Sequence, residues 1–106
     1  MADIHLEKQI NEVALQYAEL LKDHFQLHSL YVYGSYANGK FTEDSDIDIA
    51  VIAEGFSGDI AEDTFQLMKV RRGVDTRIEP HPFLVEDFHE NNPLANEVLR
   101  SGIRII

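Results

Sequence analysis

The chain has 106 residues, a formal net charge of −10 and no cysteine, which fits one small domain and excludes disulfides and thiolate-held zinc. Nineteen Asp and Glu against nine Lys and Arg disfavour a protein built to grip a phosphate backbone, because that binding depends on basic side chains releasing counterions. No apolar run is long enough to span a bilayer and the N-terminus has no signal-peptide pattern, so the expectation is a single cytoplasmic domain over residues 1–106 with no membrane contact and no direct nucleic-acid binding.

Along the chain, Ile10, Val13, Ala14, Tyr17, Leu20 and Leu21 recur at three- and four-residue steps, predicting an amphipathic helix from about Ile4 to Phe25. Leu27 to Tyr33 is rich in strand formers and stops at Gly34. Ser35 to Lys40 reads as a turn or a single helical turn closing at Asn38-Gly39. A second strand is predicted from Asp46 to Ala53, followed by a loop through Gly58. Asp59 then caps a helix reaching about Arg72, with Glu62 and Asp63 near its start and Lys69, Arg71 and Arg72 near its end, as the helix dipole favours. Gly73 stops that helix. A third strand is expected from Asp75 to His81, ended or edged by Pro80 and Pro82. Pro93 opens a last helix to about Leu99, and Ile103 to Ile106 form a terminal strand. This order predicts an α/β (α+β) domain with a small mixed sheet flanked by helices.

Chemistry concentrates in two places. Side chains alternate along a strand, so Asp46 and Asp48 share one face while Ile47, Ile49 and Val51 enter the core from the other. Residues two apart on a strand are separated by roughly 6.6 Å, a span from which two carboxylates can converge on a pair of metal ions about 4 Å apart. All-oxygen ligands without cysteine favour magnesium or manganese. The second place is Gly34-Ser35, directly after a buried strand, where glycine permits close backbone approach and the serine hydroxyl and amides can meet phosphate oxygens. On adjacent strands, the two features would form a cleft with donors on one wall and metal ligands on the other, as phosphoryl chemistry requires. Asp75 and Glu79 both qualify as a further acid on the third strand, sharing a face if that strand is regular. Tyr31 and Tyr33 read as strand packing, Tyr36 as loop packing or pocket lining, and His81 as a surface residue close to Glu79.

The stretch Gly34-Ser35-Tyr36-Ala37-Asn38-Gly39, followed by Asp44-Ser45-Asp46-Ile47-Asp48, resembles the signature of the polymerase-β-type nucleotidyltransferase superfamily. Its shape is similar to the minimal nucleotidyltransferases, which are little more than a catalytic core, and the resemblance runs from about Leu27 to the C-terminus. It implies a nucleotidyltransferase fold in which Asp46 and Asp48 bind two Mg2+ or Mn2+ ions while Gly34 and Ser35 contact the β- and γ-phosphates of ATP. The family also uses a third carboxylate, often seven residues before an acidic-acidic-Phe segment; Glu86-Asp87-Phe88 matches that segment, and counting back reaches Glu79. Many relatives carry arginine where this chain has Asn38, and Lys40, or else Arg77, would supply the missing cation. The implied reaction moves AMP from ATP to an acceptor hydroxyl. Minimal members commonly act as antitoxins paired with a helical HEPN-type toxin, some adenylylating a tyrosine of that partner, and an acidic surface suits a basic partner. The alternatives are a catalytically weak antitoxin acting by contact, and one subunit of a small-molecule (aminoglycoside-like) nucleotidyltransferase whose pocket is completed in a homo- or hetero-oligomer.

Overall fold

The computed structural model describes residues 4–42 and 44–106. Helix α1 (Ile4–Leu21) lays Ile10, Ala14, Tyr17, Ala18 and Leu21 along one buried stripe, as its period demands. It stops short of the expected Phe25. Residues 22–25 form a turn instead, and Phe25 swings out to meet Phe56, with ring centres 4.7 Å apart. Strand β1 (Gln26–Tyr33) leads into the single-turn helix α2 (Ser35–Asn38), and β2 (Ile47–Glu54), α3 (Ile60–Arg71) and β3 (Ile78–Leu84) follow. A 3-10 turn (Val85–Asp87), α4 (Pro93–Ser101) and the two-residue strand β4 (Ile103–Arg104) complete the chain.

The four strands form one mixed sheet in the order β3-β2-β1-β4, with β1 antiparallel to β2 and β4 and β2 parallel to β3. The parallel pair is joined through α3, because strands running the same way need a crossover. This is the α/β (α+β) architecture expected. The terminal segment pairs with β1, its Ile105 N–H donating to the Leu30 carbonyl at 2.8 Å.

Strand β3 begins and ends three residues later than the sequence suggests, and it holds both prolines within it, edging the strand rather than ending it. It can do so because it is an edge strand, whose outward side needs no backbone N–H. The consequence for the site is large: Asp75 lies outside the strand, whereas Glu79 lies within it.

Both faces of the sheet are covered. On one, α1 and α3 pack onto Leu30, Val32, Ile47, Ile49, Val51 and Ile78. On the other, Ala95 and Val98 of α4 meet Ala50, Ile52 and Phe83, with Tyr31, Tyr33 and Phe88 around them. Central β2 is therefore apolar on both faces from Ile49 to Ala53, as a doubly covered strand should be. The two tyrosines of β1 are packing residues of this second core. Tyr17 ties the first layer together: fully buried, it donates its hydroxyl proton to the Leu67 carbonyl of α3 at 2.7 Å.

Asp59 caps α3 as expected, accepting from the Ala61 and Glu62 amides. Asp63 does something different from balancing the dipole. It is buried and accepts from the Ser57 amide (2.8 Å), the Ser57 hydroxyl (2.8 Å) and the Gly58 amide (3.0 Å), holding the preceding loop against the helix. Asn92 caps α4 through the Leu94 and Ala95 amides, with Pro93 following it. Among the described residues, no helix is long and apolar enough to cross a membrane.

Candidate active site

The sheet register brings three residues into line at one end. Asp48 of β2 stands opposite Tyr33 of β1 and beside Glu79 of β3. Directly paired residues project to the same face of a sheet, so the Asp48 and Glu79 carboxylates and the Tyr33 ring all project toward the α4 side. Asp46 immediately precedes β2 and is exposed, while Asp48 is half-buried. Within β2 Asp48 faces opposite to the fully buried Ile47 and Ile49, while the strand starts one residue after Asp46 rather than at it.

Gly34, the residue after Tyr33, has φ +71° and ψ −142°, a conformation open essentially to glycine alone. A methyl group at its Cα would collide with the Asp48 carboxylate. The turn carrying Ser35 therefore lies directly against one of the acids, and glycine serves both the bend and the approach. Gly39, with φ +79°, closes α2, and the Lys40 amide returns to the Ser35 carbonyl at 3.1 Å.

Electrostatically this end of the sheet is strained by like charge. Burial raises the Asp48 carboxyl above the usual carboxylate range, and Asp46, Glu79 and Glu97 push it further in the same direction. The Tyr33 hydroxyl is pushed up to about 12 by burial and then by Asp48, Glu97 and Glu79. Glu97 belongs to α4, and nothing in the local sequence marks it. Its relevance depends on α4 lying over this face, information carried by the topology and not by a motif.

The remaining sequence candidates separate. Asp75 is chelated by Arg77, whose Nε and Nη2 donate to its two oxygens at 3.1 and 2.7 Å. These bonds hold the Asp75 carboxyl below its usual range. The guanidinium that was a candidate phosphate cation is thus engaged with a carboxylate. Lys40 is exposed beyond the C-terminal end of α2, with its amide also donating to the Asn38 side-chain oxygen at 3.1 Å. His81 lies half-buried on the Glu79 face of β3 against Phe83, at 4.8 Å between rings, and burial lowers its pKa. Tyr36 turns inward, only 5% exposed, and is therefore a packing residue. A concavity of about 350 Å3 behind α2, bordered by Ile10, Asn11, Val32 and Asn38, shares no residue with the carboxylate group.

Among the described residues, no three carboxylate or histidine side chains already stand together at ligand distance. The donor chemistry nonetheless fits hard divalent cations. Asp46, Asp48 and Glu79 offer only carboxylate oxygens, and the burial and like-charge repulsion that raise the Asp48 pKa are both what bound positive charge would offset.

A family model described as "Polymerase beta, Nucleotidyltransferase" matches residues 16–106, reaching back into α1, further than the resemblance from Leu27 suggested. The chain is 44% identical over 43 residues to the "Putative protein adenylyltransferase" of Methanocaldococcus jannaschii, a match spanning 41% of this chain and 43% of that protein. The aligned part is thus less than half of that relative's length. In three dimensions the chain is similar to a toxin–antitoxin structure with AMP-PNP (TM-score 0.66, 24% identity, 88% of this chain and 72% of that one). A nucleotidyltransferase-like structure from Sulfolobus solfataricus is similar over 95% of this chain and 83% of its own (TM-score 0.66, 19% identity). A tyrosine-to-alanine variant of the toxin–antitoxin MntA-HpeT matches at 28% identity with TM-score 0.59, over 85% of this chain and 68% of that one. With the family pattern covering all but the first part of α1, the chain belongs to the polymerase-beta nucleotidyltransferase family.

Proposed function

We propose that this chain transfers AMP from ATP to an acceptor hydroxyl with release of pyrophosphate, and that the acceptor is a tyrosine of a HEPN-type helical toxin that it neutralises as an antitoxin. The observation that carries the reading is the alignment of Asp48 with Glu79 across parallel strands, with the Gly34 turn packed directly on the Asp48 carboxylate. Family membership supports the reaction class, and the likeness to toxin–antitoxin structures, one with AMP-PNP, supports the biological setting.

In this reading Asp46, Asp48 and Glu79 would hold Mg2+ or Mn2+. Bound there, divalent ions supply a lowered acceptor pKa and neutralise charge on the α-phosphate and the leaving group. Gly34, Ser35 and neighbouring amides hold the β- and γ-phosphates in line, with Lys40 the nearest exposed cation in the sequence. The acceptor oxygen attacks the α-phosphorus, and a new O–P bond forms as the bond to the bridging oxygen breaks. Pyrophosphate leaves with that electron pair, and the Glu79 carboxylate takes the acceptor proton and passes it to solvent. A contact-only antitoxin is the second reading; it is favoured by Asn38, exposed where many relatives carry arginine, and by the engagement of Arg77 with Asp75.

The test is incubation of the chain with α-labelled ATP, magnesium and its co-purifying helical partner. Label is expected on a partner tyrosine, and it should be lost in the Asp46→Asn and Asp48→Asn variants. Partner binding that survives both substitutions, with label never transferred by the wild type, sinks the enzyme reading and leaves neutralisation by contact. Label found only on a small hydroxylated compound would move the chain to a small-molecule transferase.

A further inference from the structure

Asp46 sits outside the hydrogen-bonded ladder of the sheet. The Ile47 amide makes the first ladder bond, to the Arg77 carbonyl at 2.9 Å, so the strand fixes Asp48 but not its neighbour two residues earlier. The Asp46 backbone is held from the other side, by the loop. There the Ser45 hydroxyl accepts from the Thr42 amide at 2.9 Å and the Ser45 amide donates to the Thr42 carbonyl at 3.1 Å, closing a small turn.

The turn is anchored by Tyr36. Its ring is almost fully buried and stacks on Phe41, with centres 4.5 Å apart and planes at 19°. Its hydroxyl donates to the Thr42 carbonyl at 3.1 Å, with the Ser45 carbonyl at 3.4 Å as a second acceptor. That second carbonyl belongs to the peptide group shared with Asp46. Tyr36 is also the second residue of α2, two positions beyond Gly34. One rigid side chain therefore connects the backbone of the glycine–serine turn to the backbone that presents the first acid.

We propose that Tyr36 is a positioning residue for nucleotidyl transfer, its hydroxyl fixing the separation between the Gly34-Ser35 turn and the Asp46 carboxylate. This rests on the reading of that site as a metal–triphosphate site. A hydroxyl that donates to the Thr42 carbonyl, with the Ser45 carbonyl close by as the alternative acceptor, restricts a segment that would otherwise lose its order cheaply, and reacting groups held near their working geometry contribute to rate through orientation. A Tyr36→Phe variant keeps the ring, the stack and the burial, and removes only the hydroxyl.

Two measurements on the full chain separate this role from simple stabilisation. In hydrogen exchange without nucleotide, Tyr36→Phe is expected to speed exchange at Thr42 and Asp44 to Ile47 several-fold while leaving β1 and β3 unchanged. In calorimetry, ATP affinity with magnesium should fall about five-fold, the loss that one ordinary hydrogen bond carries, with no change when EDTA replaces magnesium. Ser45→Ala, which frees the Thr42 amide while leaving Tyr36 in place, should give the same pattern. Unchanged exchange in the Asp44 to Ile47 segment overturns the proposal, as does an equal loss of affinity with and without magnesium. Failure of the underlying site reading looks different: the wild type itself would show no magnesium-dependent ATP binding, and the positioning role would fall with it.

Discussion

Gly34 and Asp48 constrain each other more tightly than any other pair at the sheet's end. The glycine's positive φ makes the turn, and the space its missing side chain leaves is filled by the Asp48 carboxylate. A residue with a Cβ would pay twice, once in backbone strain and once by displacing the acid. Gly34→Ala is therefore expected to cost about 1–3 kcal/mol of stability and to remove magnesium-dependent ATP binding. Thermal melting and calorimetry check the two parts. Melting and ATP binding both at wild-type levels would mean that the turn has room this geometry denies. The charge of Glu97 on α4 adds a further, smaller push on Asp48 in the same direction. The Tyr33 hydroxyl, pushed up to about 12 by burial and then by the neighbouring carboxylates, stays protonated at neutral pH and can donate a hydrogen bond toward that face.

Among the elements, α1 and α3 are joined by Tyr17, whose ring fills the first core and whose hydroxyl reaches the Leu67 carbonyl. Tyr17→Phe is expected to destabilise by about 1 kcal/mol, the net worth of one buried hydrogen bond. Tyr17→Ala should cost about 3–5 kcal/mol, because it also opens a cavity under the sheet. Denaturant melts distinguish the two, and equal losses would place the whole effect in the hydroxyl. How legible these elements are in the sequence depends on whether their signal is local. Strand β2 and the Gly34 turn are readable because alternation and a glycine requirement act within a few residues. Strand β3 runs three residues further than the sequence reading because Pro82 signals a strand's end unless its edge position is known, and it starts three residues later because Asp75 turns back to accept from the Arg77 amide and guanidinium. The strand's observed start places Glu79 beside Asp48 and leaves Asp75 against Arg77. The burial of Asp63 escapes notice because an acid in a helix's first turn already has a local explanation, and only the folded loop brings the Ser57 and Gly58 donors onto it. Glu97 and the Tyr36 anchor are legible only once the layers are in place.

Across the whole molecule the acidic excess and the carboxylate end of the sheet reinforce each other. A net charge of −10 on a domain this small disfavours compaction through self-repulsion, and Asp46, Asp48, Glu79 and Glu97 act together at one place. The sign of the pH effect follows. Because Asp48 titrates above its unfolded value, the folded state holds that proton more tightly than the unfolded chain does. Ionised Asp48 therefore opposes folding at neutral pH; the penalty shrinks as pH falls through the raised pKa and is gone below the unfolded one. Asp75 works in reverse, since its depressed pKa gives stability that is lost as pH falls through the folded value. The difference between Asp48→Asn and wild type isolates the first effect. The variant should melt higher than the wild type at pH 7, and the gap should close as pH falls toward the ordinary carboxylate range. Magnesium should narrow the gap at pH 7 by another route. If Asp46, Asp48 and Glu79 hold the ion only when folded, Mg2+ at 100 times its Kd adds about 2.7 kcal/mol to the wild type, well beyond NaCl of matched ionic strength. Asp48→Asn should respond to the two salts almost alike. A wild type that melts no higher in magnesium than in matched NaCl would show that the acids repel one another without forming a cation site.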